Sequence, residues 1–141
     1  MKVTRLVVVA LASLVMSSAV AARQQSDKTE LQGTWIGVQS QVGKSIRTFK
    51  PGEMSLVFDG AKLNATGLLG PAATVVEFRV DPTKKPKEFD YTRAPGDVAK
   101  CIYELDADSL TIALTRATND RPKTIDPTSD TQIVLTLKRQ Q

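Results

Sequence analysis

From residue 31 onward the chain is a succession of short segments in which apolar and polar residues alternate, each cut off by a turn signal. Alternation with a period of two is the signature of a half-buried strand. No stretch carries a convincing amphipathic-helix period. In 54–59, Met54, Leu56 and Phe58 share one face, and Asp59-Gly60 then signals a hairpin. In 73–80, Val76, Phe78 and Val80 oppose Glu77 and Arg79. In 99–106, Cys101, Tyr103 and Leu105 share a face; in 108–115, Leu110, Ile112 and Leu114 do. With 31–42, 62–66, 87–92 and 131–139, eight strands are expected in one domain over 30–140. Open sheets leave unpaired edges, and closure removes them. The expected fold is all-β, an eight-stranded antiparallel up-and-down barrel, with a two-sheet β-sandwich as the alternative.

The first strand holds the only tryptophan. Trp35 should face inward, yet Ile36, Val38 and Val42 have the opposite parity. A bulge at Gly37 would let Trp35 and Val38 both face the core. On the last strand Ile133, Leu135, Leu137 and Arg139 share one parity, which brings Arg139 within stacking range of Trp35. Residues 45–52 read as a connection closed by Pro51-Gly52.

Residues 1–22 have the three parts of a secretory signal. Lys2 and Arg5 are its basic region, 6–16 its apolar region, and Ala19-Val20-Ala21 a small-residue processing site. Cleavage is expected after Ala21 or Ala22. The apolar run is shorter than the roughly 20 residues of a membrane span, so the chain meets a membrane only if the leader stays attached. The protein is expected to be exported, periplasmic or secreted. Residues 23–29 are polar without a hydrophobic period and read as a flexible lead-in.

Losing Lys2 and Arg5 lowers the formal charge from +4 to +2. The densest basic stretch left, Lys84-Lys85-Pro86-Lys87, reads as a solvated turn, and no nucleic-acid partner is expected. Histidine is absent, which excludes Ser-His and Cys-His catalytic pairs and the usual zinc sites. Cys101 is the only cysteine, so no internal disulfide forms; among apolar neighbours it reads as core filler. Asp106 and Asp108 read as turn chemistry rather than as an acid–base couple or cation ligands. Glu77, Asp90 and Glu104 have outward parity, so no inward carboxylate pair supports an enzyme. No catalytic residue, metal or cofactor is expected. Asn64-Ala65-Thr66 fits the N-glycosylation pattern, a short match that arises by chance. The long polar stretch 116–131 is expected either as a contact surface or, with a short helical turn, as a plug for one barrel end.

Several stretches taken together resemble a lipocalin-like domain family of unknown function, abundant in planctomycete bacteria. They are Glu30-Leu31-Gln32-Gly33-Thr34-Trp35, Leu56-Val57-Phe58-Asp59-Gly60, Asp81-Pro82-Thr83-Lys84-Lys85-Pro86-Lys87, Ile102-Tyr103-Glu104-Leu105-Asp106, Arg121-Pro122 and Leu135-Thr136-Leu137-Lys138-Arg139. The resemblance implies an exported lipocalin-like barrel and no established activity. It also implies that Gly33 and Trp35 on the first strand pack against Arg139 near the last. The resemblance implies an aromatic after the Arg-Pro step, and this chain departs from it by having Ile125 there.

A non-catalytic binding or interaction module, monomeric, is the functional expectation. One form is a carrier of a small apolar ligand, lined by Leu56, Phe58, Phe78, Tyr91, Tyr103 and Leu135. The other is an inhibitor-like barrel with an extracytoplasmic protein partner, its interior simply filled. Eight-stranded barrels are just wide enough for either.

Overall fold

The computed structural model describes residues 26–116 and 120–141. The leader over 1–22, its processing site at Ala21 or Ala22 and residues 23–25 of the lead-in lie outside the described residues. Where the lead-in continues, residues 26–31 form a short helix, α1, in place of the flexible chain expected there. Asp27 places an acidic group at its N-terminal turn, and Leu31 is fully buried.

Nine strands follow: β1 (Gly33–Val42), β2 (Ser45–Thr48), β3 (Ser55–Asp59), β4 (Lys62–Thr66), β5 (Thr74–Asp81), β6 (Lys87–Ala94), β7 (Asp97–Asp106), β8 (Ser109–Thr115) and β9 (Gln132–Arg139). Every pairing is antiparallel, and β1 pairs with β9. Eight strands therefore close a barrel, and the sandwich alternative is excluded. The ninth strand is β2. It pairs with Gln39–Val42 of β1 where a plain connection was expected, while Gly33–Ile36 pair with β3. All four residues of β2 are exposed, so no hydrophobic alternation marked it in the sequence.

The partner change along β1 falls at its irregularity. The register with β9 shifts between Gly37 and Gln39, a bulge next to the anticipated Gly37. Val38, expected to face the core with Trp35, is instead the residue left unpaired with β9, half-buried and outside the core cluster. Glycine is needed at position 37 for a second reason. A Cβ on Gly37 would collide with the side chain of Met54, whose carbonyl accepts the Gly37 N–H at 2.9 Å. The twist that a bulge adds lets β1 serve both β3 and β2.

The inward rows of β3 to β9 meet in one core. Phe58 and Phe78 make an edge contact at 4.9 Å, Phe89 lies 6.0–6.1 Å from both, and Tyr91 and Tyr103 flank Phe89 at 6.0 and 6.5 Å. Cys101 points into this core. A second apolar cluster lies outside the barrel, where Ile102, Ala113 and Val134 line up across β7, β8 and β9.

The loop after β8 explains that cluster. Residues 120–131 lie along the outer wall rather than plugging an end. Ile125 packs on Ile102, Ala113 and Val134, and Pro122 is buried. The aliphatic side chain of Ile125 thus covers aliphatic neighbours. Arg121 anchors the strap: its guanidinium meets Asp90 of β6 at 2.6 and 3.1 Å and donates to the Cys101 carbonyl at 2.7 Å. Glu88 adds a longer ion pair at 3.4 Å.

Candidate functional site

Three places expected or able to carry function are the barrel interior, the Trp35 end and a cleft beside α1. The interior comes first. Leu56, Phe58, Phe78, Tyr91, Tyr103 and Leu135, the six residues expected to line a cargo site, all point inward and all are buried. Their rings and branches touch one another as a core does. Burial pushes the Tyr91 hydroxyl well above its ordinary range, with the neighbouring Cys101 adding to the shift. Burial also pushes the Cys101 thiol up to about 12, and Asp90 reinforces it. A thiol held protonated and enclosed is a poor nucleophile.

The Trp35 end of the barrel is built from both ends of the chain. Trp35 of β1 sits directly opposite Arg139 of β9. The guanidinium carbon lies 4.3 Å from the indole centroid, a stacked cation–π contact. The same guanidinium donates to the carbonyls of Gln32 at 3.1 Å and Glu30 at 2.5 Å. The indole N–H donates to the Leu31 carbonyl at 2.8 Å. Carbonyls at the C-terminal end of α1, which a helix leaves without internal partners, are thereby satisfied by the barrel. Gly33 enters this corner at φ +110°, a backbone region that a side chain rarely adopts. Gln32 completes the seal: its amide oxygen accepts the Gly60 N–H at 2.7 Å and its amide nitrogen donates to the Gly60 carbonyl at 3.1 Å.

Asp27 fixes the other side of α1. Its carboxylate accepts the Tyr103 hydroxyl at 2.6 Å and the Lys87 ammonium at 3.0 Å on one oxygen. The Lys87 nitrogen also lies 5.8 Å from the Tyr103 ring centroid. Burial, then the hydrogen bond to Asp27, hold the Tyr103 hydroxyl far above its ordinary pKa. Tyr103 therefore spans the barrel end, its ring on Phe89 and its hydroxyl on the helix.

Beside this knot lies an open cleft of about 590 Å³, between the start of α1, the β5–β6 turn and the end of β7. Pro82, Pro86 and Leu105 supply apolar walls, and Lys84 and Lys85 stand on the rim. The volume falls within the range of small-molecule sites. The turn expected to be merely solvated is thus one wall of a concavity. Asp27 and Lys87 escaped notice because their meeting depends on a helix with no hydrophobic period. The acidic Asp27 and Glu30 three residues apart, just before an apolar residue, are the only local hint of that helix.

The remaining candidates resolve as structure. Asp108 sits in the β7–β8 turn, with its carboxylate 3.5 Å from the Arg139 Nε and its carbonyl accepting the Arg139 N–H at 2.9 Å. Asn64 is exposed on the outer face of β4. Among the described residues, no group of three or more Cys, Asp or Glu side chains is disposed to hold a metal ion.

Comparison with protein-family models, curated proteins and solved structures finds no match.

Proposed function

We propose that the chain is an exported, non-catalytic binding module of the lipocalin-like kind, which makes its contacts on its surface while its interior serves as core. The packing of the six inward candidates against one another carries this reading. A site for a small apolar cargo needs unoccupied apolar volume, and here contacting aromatic rings occupy the middle of the barrel. The non-catalytic part rests on the residues available. There is no histidine, the one thiol is enclosed, and both inward tyrosines are held protonated. The loop 120–131, expected as a contact surface or a plug, spends Arg121 and Ile125 on the barrel itself, which leaves the cleft beside α1 as the better surface.

Overpacking tests the filled interior. Leu56→Phe is expected to cost about 1–3 kcal/mol in urea unfolding, because a dense core must distort to accept the added ring atoms. The neutral apolar dye N-phenyl-1-naphthylamine is expected to show no bound fluorescence with the native chain. A neutral Leu56→Phe variant together with dye binding that the variant abolishes would make the protein a carrier instead. Export is checked separately, by N-terminal sequencing of protein recovered outside the cytoplasm. That protein is expected to begin at Ala22 or Arg23.

A further inference from the structure

The geometry points to the cleft between α1 and the β5–β6 turn as a binding site for a small amphipathic anion, one carboxylate or similar head on an apolar body. This rests on the surface-binding reading and gives it a ligand class.

The argument is one of charge and shape together. The walls contributed by Pro82, Pro86 and Leu105 are apolar, and most of the cleft's lining surface is apolar, with Ser26 and Tyr103 adding polar groups on the α1 side. The rim is cationic. Neither Lys84 nor Lys85 has an ion-pair partner among the described residues, and both ammonium groups are exposed at the cleft. The third lysine, Lys87, is committed to Asp27, so Asp27 presents no free charge to repel an incoming anion. Glu104 also borders the cleft and is outnumbered by the two rim lysines. A ligand that places its head between Lys84 and Lys85 lays its body along the proline walls toward Leu105. A neutral apolar molecule would leave the lysines unused. A plain inorganic anion would leave the walls uncovered. Only a molecule with both parts uses the whole site.

The test uses 4-phenylbutyrate and its neutral amide as probes, titrated into the ¹⁵N-labelled full-length chain and followed by NMR. The acid is expected to shift the amide signals of Tyr103, Glu104 and Leu105, and to bind about tenfold more tightly than the amide, as two exposed ion pairs allow. The double variant Lys84→Ala with Lys85→Ala alters only exposed side chains. It is expected to keep the native spectrum, to weaken the acid about tenfold and to leave the amide unchanged. Shifts at the cleft that are equal for acid and amide, or unaffected by the double variant, would overturn the anionic assignment. No shift at millimolar acid would overturn the site while leaving surface binding intact. Shifts centred on Phe58 and Phe78 would overturn both, since the probe would then be inside the barrel.

Discussion

The two ends of the barrel are closed by different physics. At the end carrying Gly33 and Arg139, a short helix is held down by directed contacts: the indole N–H, the Arg139 fork, the Gln32 amide and the Asp27 carboxylate. At the other end, Phe49, Leu68 and Leu69 fold half-buried over the core from loops that contain Gly52, Gly67 and Gly70. Hydrogen bonds are angular and fix one arrangement, whereas apolar contact is nondirectional and tolerates several. The first end is therefore suited to present a cleft of constant shape. The second is suited to adjust.

The largest test of this contrast is Trp35→Ala. It removes a fully buried indole together with its stacking and hydrogen-bond partners, and should cost about 3–5 kcal/mol in chemical denaturation. That is a large share of a stability near 5–15 kcal/mol. A loss under about 1 kcal/mol would mean that the directed end does not organise the barrel. Arg139→Ala comes next, at about 2 kcal/mol, because it leaves the Glu30 carbonyl of α1 and the Gln32 carbonyl just after it without their charged donor. Arg139→Lys should recover little, since an ammonium cannot stack on the indole and span both carbonyls at once.

Tyr103→Phe deletes only the hydroxyl that reaches Asp27, and should cost about 1 kcal/mol near neutral pH. It should also change the alkaline limb of the stability curve. The folded state holds this phenol protonated above its unfolded value of about 10. Its contribution is therefore complete below about pH 10 and is lost as pH rises further, because the unfolded chain releases the proton first. The variant should show a shallower loss of stability above pH 10 than the parent. A parallel decline would mean that the phenol is not held protonated by its burial and its bond to Asp27 in solution. Leu68→Ala, at the adaptable end, should be the mildest at about 1 kcal/mol or less, in keeping with half-burial. If it equalled the tryptophan variant, the contrast between the ends would disappear.

Much of the barrel was legible because it obeys local rules. The alternation in β3, β5, β7, β8 and β9 set the inward face correctly, and the parity of Arg139 brought it to Trp35 although 109 positions separate it from the Glu30 carbonyl that it also holds. What escaped detection lacked a periodic signal. The strand β2 is exposed on every residue and owes its existence to its partner. The helix α1 is one and a half turns long, and only Leu31 and Asp27 reveal its orientation once the barrel is present. Ile102 has outward parity yet is completely buried, because a loop from elsewhere covers it. The cleft combines these omissions: it needs α1 on one side and a lysine-rich turn on the other, and neither alone looks like a site.

The seam between β1 and β9 also governs when the molecule becomes itself. Trp35 is made early and Arg139 late, and the wall closes only when the two meet. A chain still emerging from the ribosome has no last strand to offer its first. It stays an open sheet with β1 unpaired on one side, and its helix lacks the guanidinium that caps it. Closure by a contact so distant in sequence keeps the nascent polypeptide pliable and defers its final shape until the last strand has been made.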